Sequence, residues 1–311
     1  MGAGWVLFGG SLHAGPKPIV TEPRRLLLEL LQAGLAAVHG RTCVREHLRR
    51  HPIPTPVYLI AIGKAAPAMA LGAHEALADR IVSGFVATKH GHGEPLPWRV
   101  FESGHPLPDQ ASLAAGDALL RFVDVLPQGA SVLVLLSGGA SALVEALPGG
   151  ATLDDLQALN RWLLASGRDI AAVNRIRKRL SRIKGGRLAA RLTSRAVTCL
   201  AISDVPGDDP RFIGSGPLTA DASIASEPID DAPPRLRALL DAAPPLPAPG
   251  DACFARVDHT VVAHLRDAIG AIADAARRRG VAARVVPALV QGEAATVGAA
   301  LARELLQSRA P

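Results

Sequence analysis

The sequence is poor in aromatic side chains: they make up 3% of its 311 residues, while hydrophobic residues of all kinds make up 49%. Its core must be assembled from Leu, Ala, Val and Ile, and a base-stacking platform for single-stranded nucleic acid lacks its material. Cysteine is scarce too. Cys43, Cys199 and Cys253 lie too far apart for zinc spacing, and Cys199, inside an apolar run, reads as a buried free thiol. No apolar run reaches the roughly 18 residues of a membrane-spanning helix. The short run Trp5–Phe8 has no positive flank to make it a signal peptide. No GxxxxGK[ST] occurs and no GxGxxG follows a strand, so the two best-known phosphate-binding loops are missing. The expectation is a cytoplasmic globular protein with neither membrane nor nucleic-acid partners.

What is present has ordinary polarity and a formal net charge of +6. Most of the 34 lysines and arginines are scattered, which suits a small anionic ligand better than a polynucleotide. Residues 1–20, rich in Gly and Pro, read as a loose extension. An amphipathic helix is expected over Arg24–His39, with Leu26, Leu27, Leu30, Leu31 and Leu35 as its apolar stripe. Strands are expected at Val57–Ile62, Gly84–Thr88, Arg99–Glu102, Ser131–Leu136, Ala196–Ile202 and Ala282–Val286. The turns Gly63–Lys64 and Gly104–Asp109 should lead into helices running to about Asp79 and about Val123, with further helices over Leu153–Ala165, Arg168–Ile183, Val262–Arg279 and Ala294–Ser308. The Pro- and Ala-rich stretch Ser223–Gly250 reads as an irregular excursion with at most one short helix. This alternation predicts an α/β fold, a largely parallel Rossmann-like sheet covered by helices on both faces. The implied divisions are an α/β domain over 21–222, the excursion over 223–250 and the start of a second α/β portion over 251–311.

In an open parallel sheet, ligands bind beyond the carboxyl ends of the strands. That rule selects the loops Gly63–Ala65, Lys89–Gly93, Ser137–Ser141 and Ser203–Asp209. Ser137, Gly138, Gly139 and Ser141 can turn the backbone sharply and present N–H and hydroxyl groups to phosphate or carboxylate oxygens; a tight turn with a serine cap is the plainer reading. Asp204, directly after an apolar strand, is placed to hold a hard divalent cation. Asp208 is a second candidate for that cation, and Asp208 and Asp209 are equally plausible as turn formers or helix caps. Lys64 is placed either to reach a transferring phosphoryl group or to snorkel beside the sheet. His90, His92 and His105 lack the spacing of a helical metal pair and read as polar loop residues.

The segment Asn174–Arg187 carries seven basic residues and no acidic one. Treated as one helix ended by Gly185 and Gly186, it buries Val173, Ile176, Leu180 and Ile183. Asn174, Arg177, Ser181 and Lys184 then share one flank and Arg175, Arg179 and Arg182 the other, while Lys178 points away from the buried stripe. A basic face is ordinarily solvated. These cations nevertheless repel one another unless an anionic ligand, or carboxylates from a loop such as Asp204–Asp209, compensates them. The first flank mixes cations with neutral hydrogen-bonding groups, which suits a specific ligand.

Taken together, GKAAPAMA (63–70), ESGHPLPD (102–109), LLSGGASAL (135–143), NRIRKRLSRIKGGRLA (174–189) and SDVPGDDPRFIGSGPLTAD (203–221) resemble the glycerate 2-kinase family. GEAATVG (292–298) looks like a continuation of it, and relatives sometimes carry the label hydroxypyruvate reductase. The resemblance implies ATP-dependent phosphorylation of D-glycerate to 2-phosphoglycerate, a requirement for Mg²⁺, and a site in a cleft between two α/β domains. It makes Lys64 and Asp204 the catalytic candidates, with the Ser137–Ser141 loop and Lys184 as ligand contacts. Two departures stand out: Ala140 replaces a frequent third glycine, and the GGRNQE-like segment that family members carry further on is missing. The expectation is therefore the front part of that architecture. It implies a homo-oligomer, a second chain that supplies the rest, or a catalytically incomplete domain that keeps nucleotide or anion binding. A reductase would need a nicotinamide fingerprint, which the sequence lacks.

Overall fold

The computed structural model describes residues 6–7, 23–224, 229–287, 290 and 292–307. The first half of the chain forms β1 (Val6–Leu7), α1 (Pro23–Ala37), α2 (Gly40–Arg50), β2 (Val57–Ile62), α3 (Ala66–Leu77), β3 (Ile81–Lys89), β4 (Val100–Ser103), α4 (Gln110–Asp124) and β5 (Ser131–Leu136). There follow α5 (Ala140–Leu143), α6 (Leu153–Ala165), α7 (Ile170–Arg179), α8 (Arg187–Arg191), β6 (Ala196–Ser203), α9 (Pro234–Asp241), β7 (Val257–His264), α10 (Leu265–Arg278), β8 (Arg284–Val285) and α11 (Ala294–Gln307). No helix among the described residues is long and apolar enough to cross a membrane.

Strands β2 to β7 make one six-stranded, wholly parallel sheet in the order β4-β3-β2-β5-β6-β7. Its aliphatic runs alternate sides as the pleat requires. Ile60, Ile62, Val132, Val134 and Leu136 face a core shared with α4 and α8, whereas Leu59, Ala61, Leu133 and Leu135 face α2 and α3. A small cluster through Leu159, Leu163, Ile176, Leu180, Leu236 and Leu240 joins α6, α7 and α9. With few aromatics to hold them apart, helices come close. A Cβ at Gly72 would strike the Arg41 backbone of α2, and one at Gly34 would strike Ile272 of α10. The α/β class, the parallel sheet and its two helical layers all agree with the sequence pattern.

Strand order places the site. From β2 the sheet grows one way through β3 and β4, and from β5 it grows the other way through β6 and β7. The connection after β2 packs on one face and the connection after β5 on the other, so a crevice opens between their carboxyl ends.

Several boundaries differ from those expected. The helix read as Val262–Arg279 starts at Leu265, because β7 takes Val257–His264 and pairs with β6. Only Ala263 of that edge strand is fully buried, so no apolar run announced it. A strand from beyond residue 250 thus belongs to the same sheet as β2. The sequence pattern does not announce helix α2, since Val44 and Leu48 are its only buried large apolar residues on a basic background. In α1 the stripe turns outward: Leu30 is buried, but Leu27, Leu31 and Leu35 are exposed. The expected helix Arg168–Ile183 ends at Arg179. Beyond it, the N–H groups of Arg182, Gly185 and Gly186 donate to the carbonyls of Ala146 (2.8 Å), Ser215 (3.1 Å) and Gly216 (2.8 Å), so tertiary acceptors replace helical ones. Gly186, at φ 83°, opens α8 instead of closing α7.

The strand expected at Ala282–Val286 is the short β8, paired antiparallel with β1. The other residues of 1–20 lie outside the described residues, as do 225–228 of the excursion and Ser308 at the expected end of α11. The one α-helix described within the excursion is α9.

Candidate active site

At the crevice, the loops after β2, β5 and β6 interlock. The Ala65 N–H donates to Ser137 Oγ (3.0 Å), and the Lys64 N–H donates to the Gly138 carbonyl (3.0 Å). Gly63, at φ 136°, has no room for a Cβ against Ser137. A Cβ at Gly138 would overlap the Asp204 carboxylate. One at Gly139, whose φ is 90°, would lie 3.0 Å from the His105 ring and 3.1 Å from Lys64 Cγ. Two glycines therefore let the Lys64 side chain, the Asp204 carboxylate and the His105 imidazole close on one short turn. Lys64 and Asp204 are exposed, and neither charged group has an ion-pair partner among the described residues.

His105, read from the sequence as a polar loop residue, belongs to this group. Burial, and next the Lys64 and Lys89 ammoniums, hold its pKa below the ordinary histidine value against the pull of Asp204. Its signal was the ESGHPLPD segment itself, where Asp109 fixes the turn by capping α4. Burial alone would raise the Asp109 carboxyl. Hydrogen bonds from His90 and from the Ser112 and Gly104 N–H groups outweigh that and hold it at about 2.

Asp204 also lines a cavity of about 590 Å³ beyond β6 and β7, together with Asp208, His264 and Arg266. Asp208 sits at φ 55°, while Asp209 is turned onto Arg211 (2.9 and 2.6 Å). Magnesium needs only one or two carboxylates when phosphate oxygens and water complete its shell. Asp204 and Asp208 fit that requirement. No group of three or more metal-ligating side chains exists among the described residues.

The basic segment divides in an unexpected way. Lys178, expected to point outward, is wholly buried: its Nζ donates to Asp221 Oδ2 and to the Arg211 carbonyl, each at 2.8 Å, beside the Phe212 ring. Ser181 and Lys184, expected on a ligand, are committed to the buried Glu145. Ser181 Oγ donates to Oε1 (2.6 Å) and Lys184 Nζ to Oε2. Among the described residues, carboxylates that pair with this segment are Glu145, Asp221 and Asp241, the last with Arg179. For Ser181 and Lys184 the reason is the early end of α7, which sends the following residues into the core; Lys178, still within α7, is covered by the segment carrying Arg211 and Asp221. No periodicity pairs Glu145 with residues so distant in the chain.

Asn174, Arg177 and Lys184 do meet Ser141, around a cavity of about 90 Å³ whose wall includes Pro106. Ser141 Oγ lies 2.6 Å from Ser215 Oγ. The structure therefore brings Lys64, Ser137, Gly138, Gly139 and Asp204 together in one cluster, with Asp208 on the larger cavity beside it. Asn174, Arg177, Ser141 and Lys184 form an adjoining one, and Ser181 is buried behind it.

A family model described as a domain of unknown function (DUF4147) matches residues 26–232. D-glycerate 2-kinase of Thermotoga maritima is 39% identical over 206 residues, which cover 66% of this chain and 49% of that protein. A protein of Agrobacterium vitis provisionally named hydroxypyruvate reductase is 36% identical over 295 residues, 92% of this chain and 66% of the relative. Among solved structures, a glycerate kinase from Thermotoga maritima matches with a TM-score of 0.72 and 32% identity, over 83% of this chain and 63% of that one. The chain spans between about half and two thirds of the length of these relatives.

Proposed function

The chain belongs to the glycerate 2-kinase family, and from that premise we propose that it transfers the terminal phosphoryl group of ATP to the 2-hydroxyl of D-glycerate, giving 2-phosphoglycerate. The observation that carries the proposal is the convergence of Lys64, Asp204 and His105 on the Gly138–Gly139 turn, at the point where the sheet reverses its strand order. Phosphoryl transfer asks a protein for alignment and for positive charge where the equatorial oxygens gather negative charge. Lys64, without an ion-pair partner among the described residues, supplies that charge.

Asp204, across the Gly138 turn, is placed to orient the acceptor hydroxyl and take its proton, or to hold Mg²⁺ with Asp208; the geometry serves either role. A magnesium ion bound there would neutralise phosphate charge. His105, whose pKa is held below the ordinary histidine value, can offer a hydrogen bond beside Lys64 in its neutral form. The reductase reading gains nothing from the sequence, since no nicotinamide fingerprint follows any strand.

The test is to incubate the protein with ATP, Mg²⁺ and D-glycerate, following ADP release and assigning the product by phosphorus NMR. ADP release that depends on D-glycerate, with phosphate at the 2-position, is expected. Release indifferent to D-glycerate, or phosphate at the 3-position, would overturn the proposal.

A further inference from the structure

The small cavity beside the catalytic turn has a charge and a size of its own. Its wall carries three charged side chains: Arg177, Lys184 and Glu145. Lys184 and Glu145 are paired and cancel. Arg177 is left as one positive charge, and its Nε is buried with no hydrogen-bond partner among the described residues. Arg177 lines the cavity, and a guanidinium offers a planar fork of N–H donors that matches the two oxygens of a carboxylate.

Size points the same way. At about 90 Å³ the cavity falls well short of the roughly 300–1,000 Å³ of pockets that enclose drug-sized ligands, whereas the cavity along β6 and β7, at about 590 Å³, falls within that range. A single uncompensated positive charge balances one carboxylate and not the several charges of a polyphosphate. The cavity also adjoins the reacting turn, because Pro106 follows His105 and Ser141 lies two residues after Gly139. In a 2-hydroxy acid, the hydroxyl to be phosphorylated sits on the carbon bonded to the carboxylate.

We propose that this cavity is the acceptor subsite, and that Arg177, with Asn174 and Ser141, binds the carboxylate of a small 2-hydroxy acid. The assignment rests on the reading that the acceptor is such an acid. It separates the acceptor from the nucleotide, whose size fits only the larger of these two cavities.

Equilibrium titration calorimetry without nucleotide tests it, using D-glycerate, glycerol as a probe lacking the carboxylate, and inorganic phosphate. The wild type should bind D-glycerate and not glycerol. Arg177→Gln should weaken D-glycerate binding about tenfold to a hundredfold and leave ATP affinity unchanged. Asn174→Ala should weaken it less. The thermal midpoint of Arg177→Gln should not fall, since the Arg177 Nε has no hydrogen-bond partner among the described residues. Undiminished D-glycerate binding by Arg177→Gln, a wild type that binds no D-glycerate, or a loss confined to ATP or phosphate overturns the assignment. Because binding is read without turnover, the two readings fail separately. A wild type that phosphorylates D-glycerate while Arg177→Gln keeps its affinity sinks the subsite alone. An inactive wild type that binds D-glycerate through Arg177 sinks the kinase reading alone.

Discussion

Gly138 shows how one missing methyl group shapes the site. The Asp204 carboxylate occupies the volume where a Cβ would stand, so Gly138→Ala must push Asp204 away or reshape the turn. Displacements on the order of 1 Å in a catalytic group cost about a hundredfold in rate. Gly138→Ala is therefore expected to lower kcat by about that factor while circular dichroism stays unchanged; near-normal turnover would mean that the Asp204 position is not critical. The sequence made Lys64, Asp204 and the Ser137–Gly139 turn legible because each follows an apolar strand run directly. It hid His105, which follows a short strand of mixed character and reaches the turn only through the tertiary fold. It also gave no sign that Ser181 and Lys184 bond to a buried carboxylate. Their buried partner Glu145 lies far from them in the chain, and only the folded structure joins the two.

Among the elements, α7 is tied to the loop between β6 and α9 by the buried pair of Lys178 and Asp221. Removing one member of such a pair strands the other charge, so Lys178→Met is expected to cost about 3–5 kcal/mol in urea unfolding. A loss below about 1 kcal/mol would show that the pair is not the anchor it looks to be. Burial works to raise the Asp221 carboxyl, yet hydrogen bonds from Lys178 and Ser223 bring it below its unfolded value of 3.8. A depressed carboxylate stabilises the fold fully above about pH 4 and loses that contribution as pH falls through the lower folded value. The acid limb of wild-type stability should accordingly steepen below about pH 4, and Asp221→Asn should flatten it. Branched runs exposed β2 and β5 to sequence reading, whereas β7 escaped because an edge strand needs no apolar run. Helix α7 was read too long because its apolar spacing continues past Leu180, while the backbone donors there turn to Ala146, Ser215 and Gly216.

For the whole molecule, strand order matters more than any single residue. The reversal between β2 and β5 makes the Lys64 and Ser137–Gly139 loops neighbours, and β6 beside β5 delivers Asp204 to them. The parallel sheet and the crevice beyond its carboxyl ends could be foreseen from alternating strands and helices. Hydropathy carries no record of strand order, and so the adjacency of these loops came only from the fold. The most direct measurement is the steady-state phosphorylation of D-glycerate by wild type, Lys64→Ala and Asp204→Asn at saturating ATP and Mg²⁺. If the turn is where phosphoryl transfer occurs, kcat falls at least about a hundredfold in each variant with the thermal midpoint preserved. Undiminished turnover in both variants would contradict it.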